Sequence, residues 1–225
     1  MKKISMILAL VSLSVLTFAQ GKPEKGDLLT EARFNVASFA DNFELPSLRV
    51  RYALAPDMLV RGDLSLRGGN TEDNFAENSD GTGATGTTVM KAFGFGIGVG
   101  IEKHMAGNNR FSPYMGAGLG FSSSSLKDEY TNSDGLTYLA DYSENSDVAS
   151  TAFGVGLFCG ADYWVSGSFY LGMEVSFGVS MVNSGDMTTE MSTGGTTVKT
   201  VELGGSSMSF GEGIVPSFRI GYNLK

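Results

Sequence analysis

The feature that most constrains this chain is a period of two in which large apolar residues alternate with glycine. Phe93, Phe95, Ile97, Val99 and Ile101 are separated by Gly94, Gly96, Gly98 and Gly100. Met115, Ala117, Leu119 and Phe121 alternate with Gly116, Gly118 and Gly120, and Phe153, Val155, Leu157 and Cys159 with Gly154, Gly156 and Gly160. Side chains point to opposite faces along a strand, so each run has one greasy face and one nearly bare face. Phe169, Leu171, Met173, Val175, Phe177 and Val179 continue the pattern against Tyr170, Gly172, Glu174, Ser176 and Gly178. No helix has this period, and collagen is excluded because the 31 glycines lack a three-residue repeat.

The first third keeps the period but sets larger polar residues opposite the apolar ones. Leu48, Val50, Tyr52 and Leu54 alternate with Arg49 and Arg51. Val60, Leu64 and Leu66 face away from Arg61, Asp63 and Arg67, and Ala32, Phe34 and Val36 from Glu31, Arg33 and Asn35. The pattern predicts eight strands, near 28–38, 46–54, 58–68, 89–103, 110–122, 150–163, 168–181 and 208–224.

Short turns are expected at Ala55–Asp57, Ala106–Asn109 and Val165–Gly167. Longer polar loops are expected at Phe39–Leu45, Gly69–Thr88, Ser123–Ala149 and Val182–Ser207. Alternation of short turns with long loops is the pattern of an antiparallel up-and-down transmembrane β-barrel, with short periplasmic turns and external loops. An even strand number places both termini on the periplasmic side. A soluble barrel of the lipocalin kind alternates too, with its greasy face inward. Eight strands of Phe, Leu and Val would overfill so small a lumen, whereas Gly, Ser, Arg and Glu fit it. Tyr52, Phe111, Tyr114, Tyr163, Trp164, Phe169 and Tyr170 gather at the turn ends and are expected to form an interface girdle.

The start of the chain fits this destination. Lys2 and Lys3 precede an apolar run from Ile4 to Phe18 that ends in small residues, the pattern of a signal peptide cleaved before Gln20. The expected organisation is a signal peptide over 1–19, a short, loose polar segment over 20–27 and a barrel domain over 28–225. Removing two lysines leaves 14 basic residues against 24 acids, a net charge of −10. Such an acidic chain is not expected to hold nucleic acid. One cysteine precludes an intramolecular disulfide framework.

The signal, the alternating strands and the closing run of Phe218, Ile220, Tyr222 and Leu224 around Arg219, Gly221 and Asn223 resemble the small outer-membrane β-barrel proteins of the OmpA/OmpX type. The resemblance implies an outer membrane location and lipid as surroundings. It also implies recognition of the last strand by the barrel assembly machinery, with Phe218, Ile220, Tyr222 and Leu224 as the signal. Some barrels of this size modify lipid A, using a histidine and a serine near the outer leaflet. His104 lies at the opposite end and is expected to be an exposed turn residue.

Alternation predicts a lumen lined by Glu31, Arg33, Arg49, Arg51, Arg61, Asp63, Arg67, Glu102, Asp162, Glu174 and Arg219. With both signs present, an ion-paired plug is expected, and a narrow selective pore is the alternative. Cys159 is expected to face lipid. No cofactor and no metal site are expected. The Asn78–Gly81 and Asn132–Gly135 segments lack the oxygen spacing of a calcium loop. The glycine run at 94–100 is followed by no helix and so fails the context of a nucleotide-binding loop. Two functions stand: a non-enzymatic structural or surface-interaction barrel, and a channel for small solutes or ions.

The external segments also carry strand signals. Asp134 and Gly135 lie between alternating runs that include Tyr130, Tyr138 and Tyr142, and Gly194 and Gly195 lie between Thr188–Ser192 and Thr196–Leu203. Both predict hairpins that protrude above the membrane, where an unidentified surface partner could bind.

Overall fold

In the computed structural model the described residues are 22–35, 47–76, 78, 81, 83, 85–132, 142–210 and 215–224. Residues 1–19, expected as a signal peptide, lie outside them. Among the described residues eleven strands form: β1 (Leu28–Asn35), β2 (Ser47–Ala55), β3 (Met58–Ala76), β4 (Thr85–His104), β5 (Phe111–Asn132), β6 (Ser143–Trp164), β7 (Phe169–Ser184), β8 (Met187–Thr193), β9 (Thr196–Glu202), β10 (Gly205–Phe210) and β11 (Val215–Asn223).

Eight of them close a ring. β1 through β7 pair in sequence, β7 pairs with β11, and β11 returns to β1, every pairing antiparallel. Closure leaves this ring without an edge, the requirement for a sheet that meets lipid. The fold is therefore all-β, an eight-stranded antiparallel up-and-down barrel of the transmembrane architecture. The turns at Pro56–Asp57, 105–110 and 165–168 lie at one end. Leu28 and Leu224 lie there too, joined by a hydrogen bond from Leu224 N to Leu28 O of 2.7 Å. The 22–27 segment, expected to be loose, is tied to the barrel: Gly26 N donates to Ala53 O at 2.8 Å.

Facing follows the alternation. Leu157 and Phe177 are 65% and 56% exposed on the outside, while Arg51 is fully buried within. The bare glycine positions receive large side chains from the residues paired with them on the neighbouring strands. A Cβ at Gly172 would lie 2.5 Å from Arg219 Nη2, and the Gly116, Gly160 and Gly221 positions are filled by Phe158, Tyr114 and Tyr170. The glycines are thus the holes into which the polar and aromatic knobs fit.

The walls are unequal. β1, β2 and β11 are 8 or 9 residues long, whereas β3, β4, β5 and β6 run 19 to 22. Much of the expected loop sequence at Gly69–Thr88 and Ser123–Ala149 is therefore strand. Its outward face turns polar above Phe93, which ends the apolar signal, while backbone pairing continues to Ala76↔Thr85 and Thr131↔Ser143. Above the rim β6 changes partner, from β7 over 150–164 to β8 over 143–147, and β8 pairs with β9. The eighth expected strand is two pieces, β10 and β11, both paired with β7.

The β8–β9 hairpin turns at Gly194 and Gly195, whose φ values of 56° and 78° suit glycine. The other expected hairpin differs. A two-residue turn at Asp134 and Gly135 would set Tyr130 opposite Leu139, but Tyr130 pairs with Glu144. The long pairing of β5 with β6 from the barrel below sets this register. Asp134, Gly135 and Tyr138, like the expected loop at Phe39–Leu45, lie outside the described residues.

Candidate functional site: a sealed ionic lumen

β2 supplies the two central cations, because Arg49 and Arg51 sit two residues apart on the inward face. Arg49 donates in parallel to Glu174 of β7, Nη1 to Oε2 at 3.1 Å and Nη2 to Oε1 at 3.2 Å, and its Nε reaches Asp63 Oδ1 at 2.7 Å. Arg51 Nη1 donates to Glu31 Oε1 and to Asp162 Oδ2, both at 2.8 Å, while Nε and Nη2 engage Glu102. Arg219 of β11 grips Glu31 through Nη1 at 3.0 and 3.1 Å and Asp162 through Nη2 at 2.7 Å. Arg61 Nη1 reaches Glu174 at 2.7 Å.

Four guanidiniums and five carboxylates thus meet in one contiguous set. Arg49, Arg51, Arg219, Glu31, Glu102, Asp162 and Glu174 are each at most 3% exposed. Burial of ions is tolerated where pairing and hydrogen bonding are extensive; Nε of Arg61 and of Arg219 lack a hydrogen-bond partner among the described residues. Aromatic side chains close the gaps. Tyr114 OH donates to Glu174 and Tyr170 OH to Glu31, each at 2.7 Å. Arg61 stacks over the Phe158 ring, 3.3 Å from its centroid.

Two expected lumen residues stand apart. Arg33 donates from Nε to Ser47 Oγ at 3.0 Å and lines the space above the plug, and Arg67 is exposed near the rim. Between the plug and the external opening lies a cavity of about 450 Å³, its walls rich in glycine and serine and its floor formed by Arg61, Asp63, Phe158 and Glu174.

The girdle expectation is corrected in part. Tyr52, Phe111 and Tyr163 are exposed on the outside, and Phe169 is half-buried. Tyr114, Trp164 and Tyr170 are fully buried. Their own parity, with Gly116, Asp162 and Glu174, signals this: alternation sets facing even beside a turn. Phe158 was missed for a related reason, since it occupies an inward position in a run otherwise read as glycine.

His104 is corrected as well. It is buried, not an exposed turn residue, because its position is even like Glu102. Its Nδ1 lies 2.8 Å from Ser112 Oγ and its Nε2 3.0 Å from Arg51 Nη2. The same Nε2 lies 3.5 Å from Glu102 Oε2, so the ring is held between a guanidinium and a carboxylate. With His104 and Ser112 both buried, the pair is not arranged as an accessible nucleophile and base.

The remaining expected positions fall as follows. Ile220, Tyr222 and Leu224 are exposed on the outer face, Phe218 is half-buried, and Cys159 is exposed outward. Tyr130 and Tyr142 approach each other above the rim, with ring centroids 5.6 Å apart. Among the described residues no group of three or more His, Cys, Asp or Glu is placed to hold a metal ion.

No family model and no curated protein matches this chain. Solved structures do. The outer membrane protein AlkL is 15% identical, over 90% of this chain and 92% of its own, with a TM-score of 0.31. The attachment invasion locus protein Ail of Yersinia pestis, solved with the heparin analogue sucrose octasulfate, is 15% identical over 88% and 94%, with a TM-score of 0.32. CarO of Acinetobacter baumannii is 12% identical over 90% and 98%, with a TM-score of 0.34.

Proposed function

We propose that this chain is an outer-membrane protein that uses a sealed barrel to anchor a β-sheet platform at the cell surface, where it binds a partner. The observation that carries the reading is the pairing of an apolar outer face around a closed barrel with a lumen blocked by buried ion pairs. The outer face suits lipid and the blocked lumen disfavours conduction. The tall wall of β3–β6 then has a purpose that transport does not supply, because it extends the sheet well past the apolar belt.

On this reading the signal directs export, the barrel assembly machinery recognises the last strand through Phe218, Ile220, Tyr222 and Leu224, and both termini face the periplasm. The role is binding rather than catalysis. The test combines heat-modifiable mobility of the refolded protein with planar-bilayer recording. A heat-modifiable barrel without steady current is expected. Porin-sized steady currents would replace the platform by a narrow channel, and recovery as a detergent-free soluble protein would end the membrane reading.

A further inference from the structure

The platform has two chemically different faces. On the outer face the three lysines of the external strands are matched to acids. Lys91 meets Glu129 at 2.7 Å, Lys127 meets Asp147 at 3.1 Å and Lys199 meets Glu190 at 2.9 Å. The other face continues the lumen-side parity. It bears Asp73 of β3, Asp128 of β5, Glu144 of β6 and Glu202 of β9, with no lysine or arginine above Arg67 among the described residues. None of these four acids has an ion pair among the described residues. Asp128 Oδ1 is shielded from solvent with no hydrogen-bond partner among the described residues.

Aromatic rings share this face. Phe75 stacks on Tyr130 with centroids 5.4 Å apart and an interplanar angle of 18°, and it lies over Gly86 of the intervening strand. Tyr142 meets Tyr130 edge-on and donates its hydroxyl to Glu144 at 2.6 Å. Carboxylates beside ring faces are the groups that hold a guanidinium or an ammonium.

We infer that the lumen-side face of the external sheet docks an arginine- or lysine-rich peptide segment of another protein. Charge complementarity excludes the nearer occupants. The connecting segments 36–46, 77–84, 133–141 and 211–214 contain acids and no Lys or Arg, so this chain's own loops supply no counter-charge. A second copy presents lysines already matched to acids. Over 36–46, 68–92, 122–150 and 182–214 the sequence holds sixteen acids against Lys91, Lys127 and Lys199, a net charge of −13. That field draws a cation toward the sheet from beyond the contacts themselves.

This inference rests on the surface-platform reading and names its partner's chemistry. The test is fluorescence anisotropy of a labelled oligoarginine peptide with the mature chain refolded in zwitterionic detergent, heat-modifiability being checked for every variant. Asp73→Asn with Asp128→Asn and Glu144→Gln should weaken binding about tenfold. Glu72→Gln with Glu129→Gln and Glu190→Gln removes the same charge from the outer face and should weaken it by less than about twofold. Tyr130→Leu, which changes no charge, should cost about two- to fivefold. Equal losses from the two triple variants, or no effect of Tyr130→Leu, would overturn the face as a site. Absent binding by a wild type that is heat-modifiable would also overturn it, and would leave the barrel reading standing.

Discussion

Arg219 Nη2 lies 2.7 Å from Asp162 Oδ1 and so ties β11 to β6 across the lumen, although β7 separates those strands in the wall. The opposite oxygen of Asp162 takes Arg51 Nη1 from β2 at 2.8 Å. One small carboxylate therefore joins three strands. Asp162→Ala leaves two buried guanidiniums short of an acid, and a loss of about 3–5 kcal/mol is expected. Reversible urea unfolding in lipid measures it. A loss within the range of surface mutations would mean that the plug does not hold the barrel together.

Removing cations instead of an acid tests closure. Arg51→Ala with Arg219→Ala takes two of the four guanidiniums from the plug and should turn a quiet barrel into one with measurable single-channel current. Unchanged silence in planar bilayers, with folding verified by heat modification, would locate the seal elsewhere.

Facing is tested by charge. Val175→Arg places a cation on the outer face and should cost about 2–4 kcal/mol near the bilayer midplane. Gly120→Ser adds a small group to the lumen where the nearest atom to a new Cβ is 3.8 Å away, so little loss is expected. Gly178→Ser differs, because a Cβ there would lie 2.7 Å from the Val155 carbonyl oxygen, and backbone cannot yield as a side chain does. Equal losses for Val175→Arg and Gly120→Ser in the unfolding assay would reverse inside and outside.

Gly194 and Gly195 take positive φ between β8 and β9, so Gly195→Val should strain the turn. Amide exchange over 187–202 should speed up while the barrel stays heat-modifiable. Exchange already unprotected in the wild type would show that β8 and β9 are not paired in solution.

At the short-turn end Lys103 hydrogen-bonds the Asp57 carboxylate and holds its carboxyl below the usual range. A lowered folded value means stability present above the ordinary carboxylate pKa and lost as the pH falls through the lowered one. Both side chains are exposed, so the effect is small. NMR titration should find Asp57 returning toward its ordinary value in Lys103→Met, and an unmoved midpoint would refute the pairing.

The barrel was legible because lipid imposes a rule on every outward residue. Leu48, Ile97, Leu119 and Phe177 obey it, and Arg49, Arg51 and Glu174 stand opposite by parity alone. The rule ends where lipid ends. Above Phe93 the outer residues are Lys91 and Val89, no longer uniformly apolar, so strand sequence there resembled loop. Neither could local pattern reveal that β6 leaves β7 for β8, because that choice is made by a hairpin some forty residues downstream. His104, Tyr114 and Tyr170 lie near turns yet point inward, because alternation along the strand, not nearness to a turn, sets their facing.

The unequal walls set an order of assembly. β3 with β4 and β5 with β6 are long neighbours joined in sequence, and such hairpins can zip as they emerge. The join of β1 to β11 is short and brings Leu29 beside Asn223, nearly the full span of the described strands away. Loop-closure entropy makes that join the slow and late event. Glu31 and Arg219, one on each side of it, meet at 3.0 Å. The ion pairs that fill the lumen are on this account also the latch of the seam, engaged at the final step of folding. A variant that loosens the latch, such as Arg219→Met, is expected to accumulate an open sheet before it shows any change in what it conducts.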